Sequence, residues 1–121
     1  MNAARIASLT AAAMLTTPAF AAPVAKPAQF AICGVCHKVD KGAPNGIGPN
    51  LFGVGGTKAG AVPGYVFSPA MKKSGITWTK PKLVEYIMAP QKVVPGTKMT
   101  FAGLKDPKAA AAVADYVLSL K

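Results

Sequence analysis

Three side chains with strong ligand or nucleophile chemistry fall within five residues, in Cys33-Gly34-Val35-Cys36-His37. They are the only 2 cysteines and the only histidine of the chain. C-x-x-C-H is the attachment signature of c-type haem. Each thiol can add to one vinyl group of a single haem, forming a thioether bond, and the adjacent His37 then falls beneath the iron as an axial ligand. A thioredoxin-like redox pair would need a βαβ context that the sequence does not offer. A zinc site would need about four ligands, more than these three residues supply. A disulfide between Cys33 and Cys36 would close a loop too short to constrain the unfolded chain much. Covalent haem c, one per chain, is the expected cofactor.

A second axial ligand has to come from elsewhere. Thioether sulfur is a soft, weak iron ligand, and His/Met ligation raises the reduction potential. Met71 and Met88 are candidates on spacing alone. Met99 is favoured, because Val94-Pro95-Gly96-Thr97-Lys98-Met99-Thr100-Phe101-Ala102-Gly103 reads as a loop that can bend across the haem face. Pro49, in Gly46-Ile47-Gly48-Pro49-Asn50-Leu51-Phe52-Gly53, offers a carbonyl to the free ring N–H of His37; such a bond fixes the tautomer and raises ligand basicity. Trp78, the single tryptophan, reads as core, with an indole N–H able to reach a buried propionate.

The elements that must position these residues are short. Residues 1–22 read as a cleaved secretory signal peptide. Arg5 gives the positive n-region, Ile6 to Leu15 the apolar run, and Ala19-Phe20-Ala21 an A-x-A cleavage site. The run is too short for a membrane span, so no stable span is expected after cleavage. Residues 23–121 form one small domain of about 100 residues, whose limited core would be enlarged by a haem.

A short helix is expected over about 28–35, running into the cysteine motif, with Phe30 packed on another helix. Residues 38–66 contain eight glycines, three prolines and two asparagines and read as loop. A loop of that length needs something to wrap, and Leu51 and Phe52 would line it. One helical turn is expected at 69–74. A helix follows over 80–88, capped by Thr79, presenting Leu83, Tyr86 and Ile87 and stopped by Pro90. Asp106-Pro107 opens a last helix to about Leu120, whose stripe of Val113, Tyr116, Val117 and Leu120 should pack on the first.

Net charge is +10, from 14 basic and 4 acidic residues. Without Arg5 every remaining basic residue is a lysine. Such a surface steers acidic partners and speeds association at low salt. Nucleic acid is disfavoured: the mature chain has no arginine, no nucleic-acid motif, and lysines only singly or in pairs.

The segments Cys33-x-x-Cys36-His37, Gly48-Pro49-Asn50-Leu51, Gly75-Ile76-Thr77-Trp78, Glu85-Tyr86 and Pro95-Gly96-Thr97-Lys98-Met99-x-Phe101-Ala102-Gly103 occur in the order of class I cytochrome c. The chain resembles the mitochondrial and bacterial c2-type branch over essentially its whole mature length. The resemblance implies an all-α cytochrome c fold of short helices and long loops around haem c, with the terminal helices packed together. It implies axial His37 and Met99, Pro49 on the ligand histidine, Trp78 on a propionate, and a hydrogen bond from Tyr86 near the methionine sulfur. Lys92, Lys98 and Lys105 match positions through which the family docks acidic redox partners.

Four positions depart from the family pattern. Ile32 stands where lysine is common, Phe67 for a tyrosine, Thr57 for an arginine and Met71 for a buried asparagine. These leave fewer polar groups near the propionates and less docking charge. The expected function is a monomeric, periplasmic, bacterial one-electron carrier and not an enzyme. The alternatives are a haem c subunit of a periplasmic dehydrogenase and an open-iron enzyme handling peroxide or a small gas.

Overall fold

The computed structural model describes residues 11–18 and 24–121. Most of the expected leader lies outside the described residues; residues 11–18 are exposed and carry no regular structure. Five helices follow: α1 (Phe30–Gly34), α2 (Pro69–Lys73), α3 (Lys80–Met88), α4 (Pro90–Val93) and α5 (Pro107–Ser119). Among the described residues the only β pairing is an isolated antiparallel bridge between Lys58 and Thr77. No described helix is long and apolar enough to cross a membrane.

Each helix start follows its local chemistry. Ser68 caps α2, its Oγ accepting from the Met71 amide at 3.1 Å. Asp106 caps α5, accepting from the Lys108 amide, with Pro107 at the first helical position. Thr79 sits at the N-cap of α3 without a side-chain cap bond. Two expectations need correction. The first helix is shorter than 28–35, because Pro27 and Ala28 form turns whose carbonyls accept from the amides of Phe30 and Ala31 before the helix proper begins. Pro90 does more than end α3: it lacks the N–H a helix interior needs, but at the first position of a new helix that loss is harmless, and α4 begins there.

The core is the seam between α3 and α5, the most extensive helix contact. Leu83 and Ile87 of α3 pack with Ala110, Val113, Ala114 and Val117 of α5. Alanines at 110 and 114 let the two backbones approach closely. The terminal helices meet through Phe30 and Tyr116, whose rings pack edge to face with centroids 4.9 Å apart. Most of the α5 stripe therefore faces α3, not α1 as the sequence suggested, since five-residue α1 offers only Phe30 to bury. A second cluster of Met71, Tyr86 and Val94 gathers Phe67, Trp78 and Met99 at its edge. Residues 38–66 contain no helix; Val39, Leu51, Val54 and Val62 pack in the first cluster and Ala59 against the second. Gly55 crosses so close to α5 that a Cβ there would lie 2.9 Å from Leu118 Cδ2.

Candidate haem site

The end of α1 sets the spacing of the thiols and the imidazole. The Cys33 carbonyl accepts from the amides of both Cys36 (3.1 Å) and His37 (2.9 Å), so the chain is still coiled where the motif ends. Both cysteines are free and half-buried. Burial pushes the Cys33 thiol up, and the neighbouring Cys36 adds a smaller push in the same direction.

His37 Nδ1 donates to the Pro49 carbonyl at 2.7 Å. This is the bond the sequence suggested. It places the remaining ring nitrogen, Nε2, as the acceptor. Burial lowers the histidine pKa, opposed in part by the Pro49 bond, so the neutral ligand-competent form is favoured. Gly48 makes room for the ring: a Cβ there would sit 2.5 Å from His37 Cε1. Its amide also ties the 46–49 turn to the Cys36 carbonyl at 2.9 Å.

These groups open onto a cavity of about 410 Å³, within the size range of cofactor sites. Cys33, Cys36, His37, Pro49, Trp78, Tyr86 and Met99 all line it, as do Leu51, Val54, Met71 and Phe101. Two expectations fail here: Phe52, expected on the wall beside Leu51, faces a separate small pocket with Ala61 and Pro63, and Met88 does not reach the cavity. Among the described residues no group of three or more His, Cys, Asp or Glu side chains could hold a metal ion. An apolar cavity with two free thiols, one neutral imidazole and two thioethers, those of Met71 and Met99, on its walls fits a covalently attached haem in donor set and in shape.

Tyr86 makes its hydrogen bond beside the methionine: its hydroxyl pairs with Thr97 Oγ1 at 2.7 Å, and that oxygen also accepts from the Met99 amide. A hydroxyl is a much better partner than a thioether, which accepts only weakly. Trp78 packs on Tyr86 with ring centroids 5.1 Å apart and lines the cavity. The positions departing from the family pattern are apolar or already bonded: Met71 is buried, Phe67 stacks edge-on against Tyr65, and the Thr57 hydroxyl donates to the Val54 carbonyl at 2.7 Å.

Three residues of the site carried no assigned role in the sequence. Thr97 joins α3 to the Met99 loop, bonding Tyr86 and accepting from the Met99 amide at 3.3 Å. Gln91 reaches that loop from α4. Asn50 is buried and fully satisfied: its Nδ2 donates to the carbonyls of Asp40 and Ala43, and its Oδ1 accepts from the Phe52 amide. A polar residue directly after Gly48-Pro49 was the available signal for Asn50. The partners of Thr97 and Gln91 lie in loop geometry that spacing does not reveal.

No family model matches the chain. Individual relatives do. It is 50% identical over 95 residues to cytochrome c2 iso-2 of Magnetospirillum molischianum, covering 78% of this chain and 97% of that protein. It is 46% identical over 110 residues to cytochrome c2 of Rhodomicrobium vannielii, covering 89% and 88%. Among solved structures it is similar to cytochrome cH from Methylobacterium extorquens, with a TM-score of 0.68 and 48% identity over 73% of this chain and 88% of that one. Fold, cavity and donor set together are those of a c-type cytochrome, an electron carrier with one covalently attached haem c. The chain belongs to the class I cytochrome c family, in its c2-like branch.

Proposed function

We propose that this protein is a periplasmic single-electron shuttle that binds its haem through Cys33 and Cys36 and holds the iron between His37 and Met99. The observation that carries the reading is the shared lining of one apolar cavity by those four side chains. A haem c supplies an iron that cycles between Fe(II) and Fe(III), with a potential raised by His/Met ligation. The chain's own residues do the rest. His37 is held in one tautomer by Pro49, and Met99 is held by its loop. Leu51, Val54, Trp78, Tyr86 and Phe101 exclude water. If His37 and Met99 both bound the iron, no position would be open to substrate, which supports a carrier over an enzyme.

The charge distribution supports docking of acidic partners. Lys58 and Lys98 line the cavity and no acidic residue does. Asp115 and Glu85 pair with Lys80 and Lys82 on α5 and α3, and Asp106 is engaged as a cap. Lys92, Lys98 and Lys105 are exposed and belong to the segments around the Met99 loop. Partners would dock there through salt-sensitive contacts, with the protein acting as a monomer. Export would follow cleavage near Ala22, leaving residues 23–121 as the working domain.

The test is the optical spectrum of the exported holoprotein, oxidised and reduced. The weak long-wavelength band of sulfur-to-iron(III) ligation is expected in wild type and absent in Met99→Ala. A high-spin wild-type spectrum with ready carbon monoxide binding would overturn the closed-site shuttle in favour of an open-iron enzyme. Stoichiometric co-purification with a dehydrogenase would replace the free shuttle with a bound subunit.

A further inference from the structure

The Met99 loop has an unusual way of being held. Its start is pinned where the Thr97 amide donates to the Val94 carbonyl (3.0 Å), and its end where the Leu104 amide donates to the Ile87 carbonyl (2.9 Å). Between them, residues 98–103 make no backbone–backbone hydrogen bond with any described residue. Side chains replace that ladder, and one of them acts on Met99 itself. Gln91 Nε2 donates to the Met99 carbonyl at 2.5 Å and to the Phe101 carbonyl at 3.2 Å. A primary amide has two N–H donors, so a single side chain can serve both carbonyls. Among the described residues no other group donates to either.

Gln91 has a firm base. It sits in α4 between fully buried Pro90 and the buried Val94, whose cluster includes Val93 and Met99. The amide therefore ties a segment without backbone hydrogen bonds of its own to a packed one, and it does so at the residue whose side chain enters the cavity and at Phe101, which lines it.

We propose that Gln91 is a positioning residue that latches the Met99 loop closed, so that the sulfur stays aimed into the cavity and exogenous ligands compete poorly for its place. This rests on Met99 being the axial ligand and goes beyond it, since it assigns what keeps that ligand in place. The bonds are solvent-exposed, so each contributes at the low end of the usual range, and the combined effect on ligand competition is about three- to tenfold.

The experiment is an imidazole titration of the purified ferric holoprotein, followed by loss of the sulfur-to-iron(III) band, in wild type, Gln91→Leu and Gln91→Lys. Leucine cannot donate; lysine has similar reach and can. Gln91→Leu is expected to bind imidazole about three- to tenfold more tightly, with Gln91→Lys within about twofold of wild type. Gln91→Asn, polar but one methylene short, gives the same readout if the leucine variant yields no holoprotein. No shift in the non-donating or shortened variant, or equal shifts with leucine and lysine, would overturn the latch while leaving Met99 as ligand. A wild-type protein without the band would overturn the ligand assignment, and the latch with it, before any Gln91 variant is compared.

Discussion

The hydroxyl of Tyr86 lies 2.7 Å from that of Thr97, linking the buried face of α3 to the loop that carries Met99. The link does not depend on the ring, which packs on Trp78 in any case. Tyr86→Phe therefore removes the bond and keeps the packing, and is expected to cost about 1 kcal/mol in denaturant unfolding of the holoprotein. Thr97→Val should cost a similar amount. The double variant should lose clearly less than the two single losses together, because both break one bond. Strict additivity would show that the two hydroxyls are energetically independent.

The same phenol makes a pH prediction. Burial raises the Tyr86 pKa above its ordinary 10.0, only partly opposed by the Thr97 bond. The folded state then holds this proton after the unfolded chain has released it. The stability this gives is fully present below pH 10.0 and is lost as pH rises towards the folded pKa. Wild type should lose stability more steeply above about pH 10 than Tyr86→Phe, with the two curves parallel below it. Parallel curves throughout the alkaline range would show that Tyr86 does not titrate between the states.

Gly48→Ala tests the histidine side. The added methyl would meet the imidazole of His37 at 2.5 Å from Cε1, inside any real contact distance. Either the ring turns, breaking the Nδ1 bond to Pro49, or the 46–49 turn lifts from Cys36. The expected outcome is thioether-attached haem with a high-spin, imidazole-rescuable spectrum and reduced yield. A wild-type spectrum from this variant would show that the turn yields without disturbing the ligand.

How far the sequence revealed this molecule depends on the range of the forces involved. Helices α3 and α5 were legible because caps and apolar spacing are local: Asp106-Pro107 and Leu83, Tyr86, Ile87 name their own element. The bond from His37 to Pro49 was legible because a proline carbonyl and a histidine beside paired cysteines leave few partners. α4 was hidden, since Pro90 reads as a stop until a second start is seen. Packing of α5 on α3 in preference to α1 depends on how little surface α1 has to bury. The partners of Tyr86, Thr97 and Gln91 are set by loop paths, where no periodicity constrains the chain.

Charge predicts the kinetics of encounter. With 14 basic against 4 acidic residues, and Lys58 and Lys98 at the cavity, electron transfer with a small anionic reagent should slow as salt is added. A cationic reagent of similar driving force should speed up. Stopped-flow rates across ionic strength check both slopes, and replacing Lys92 and Lys105 by Gln together should flatten the anionic one. Identical slopes for the two reagents would place the site of transfer away from the lysines.

The exit of the Met99 loop gives the sharpest mutational test of how that loop is held. Gly103 has φ +110, a conformation that L side chains rarely adopt, and a Cβ there would fall 2.0 Å from the Met88 carbonyl oxygen. The close approach is what brings Leu104 onto the Ile87 carbonyl at the end of α3. Gly103→Ala adds both a backbone penalty and a steric clash with main-chain atoms that cannot rotate away, so the loop end must leave α3. The cost in unfolding free energy is expected to be about 3 kcal/mol. Haem attachment at Cys33 and Cys36 should persist, because α1 and the 46–49 turn are untouched, while the sulfur-to-iron(III) band disappears at a lower temperature than in wild type. Loss of covalent haem instead would mean that the loop end is required for the thioether site to form at all.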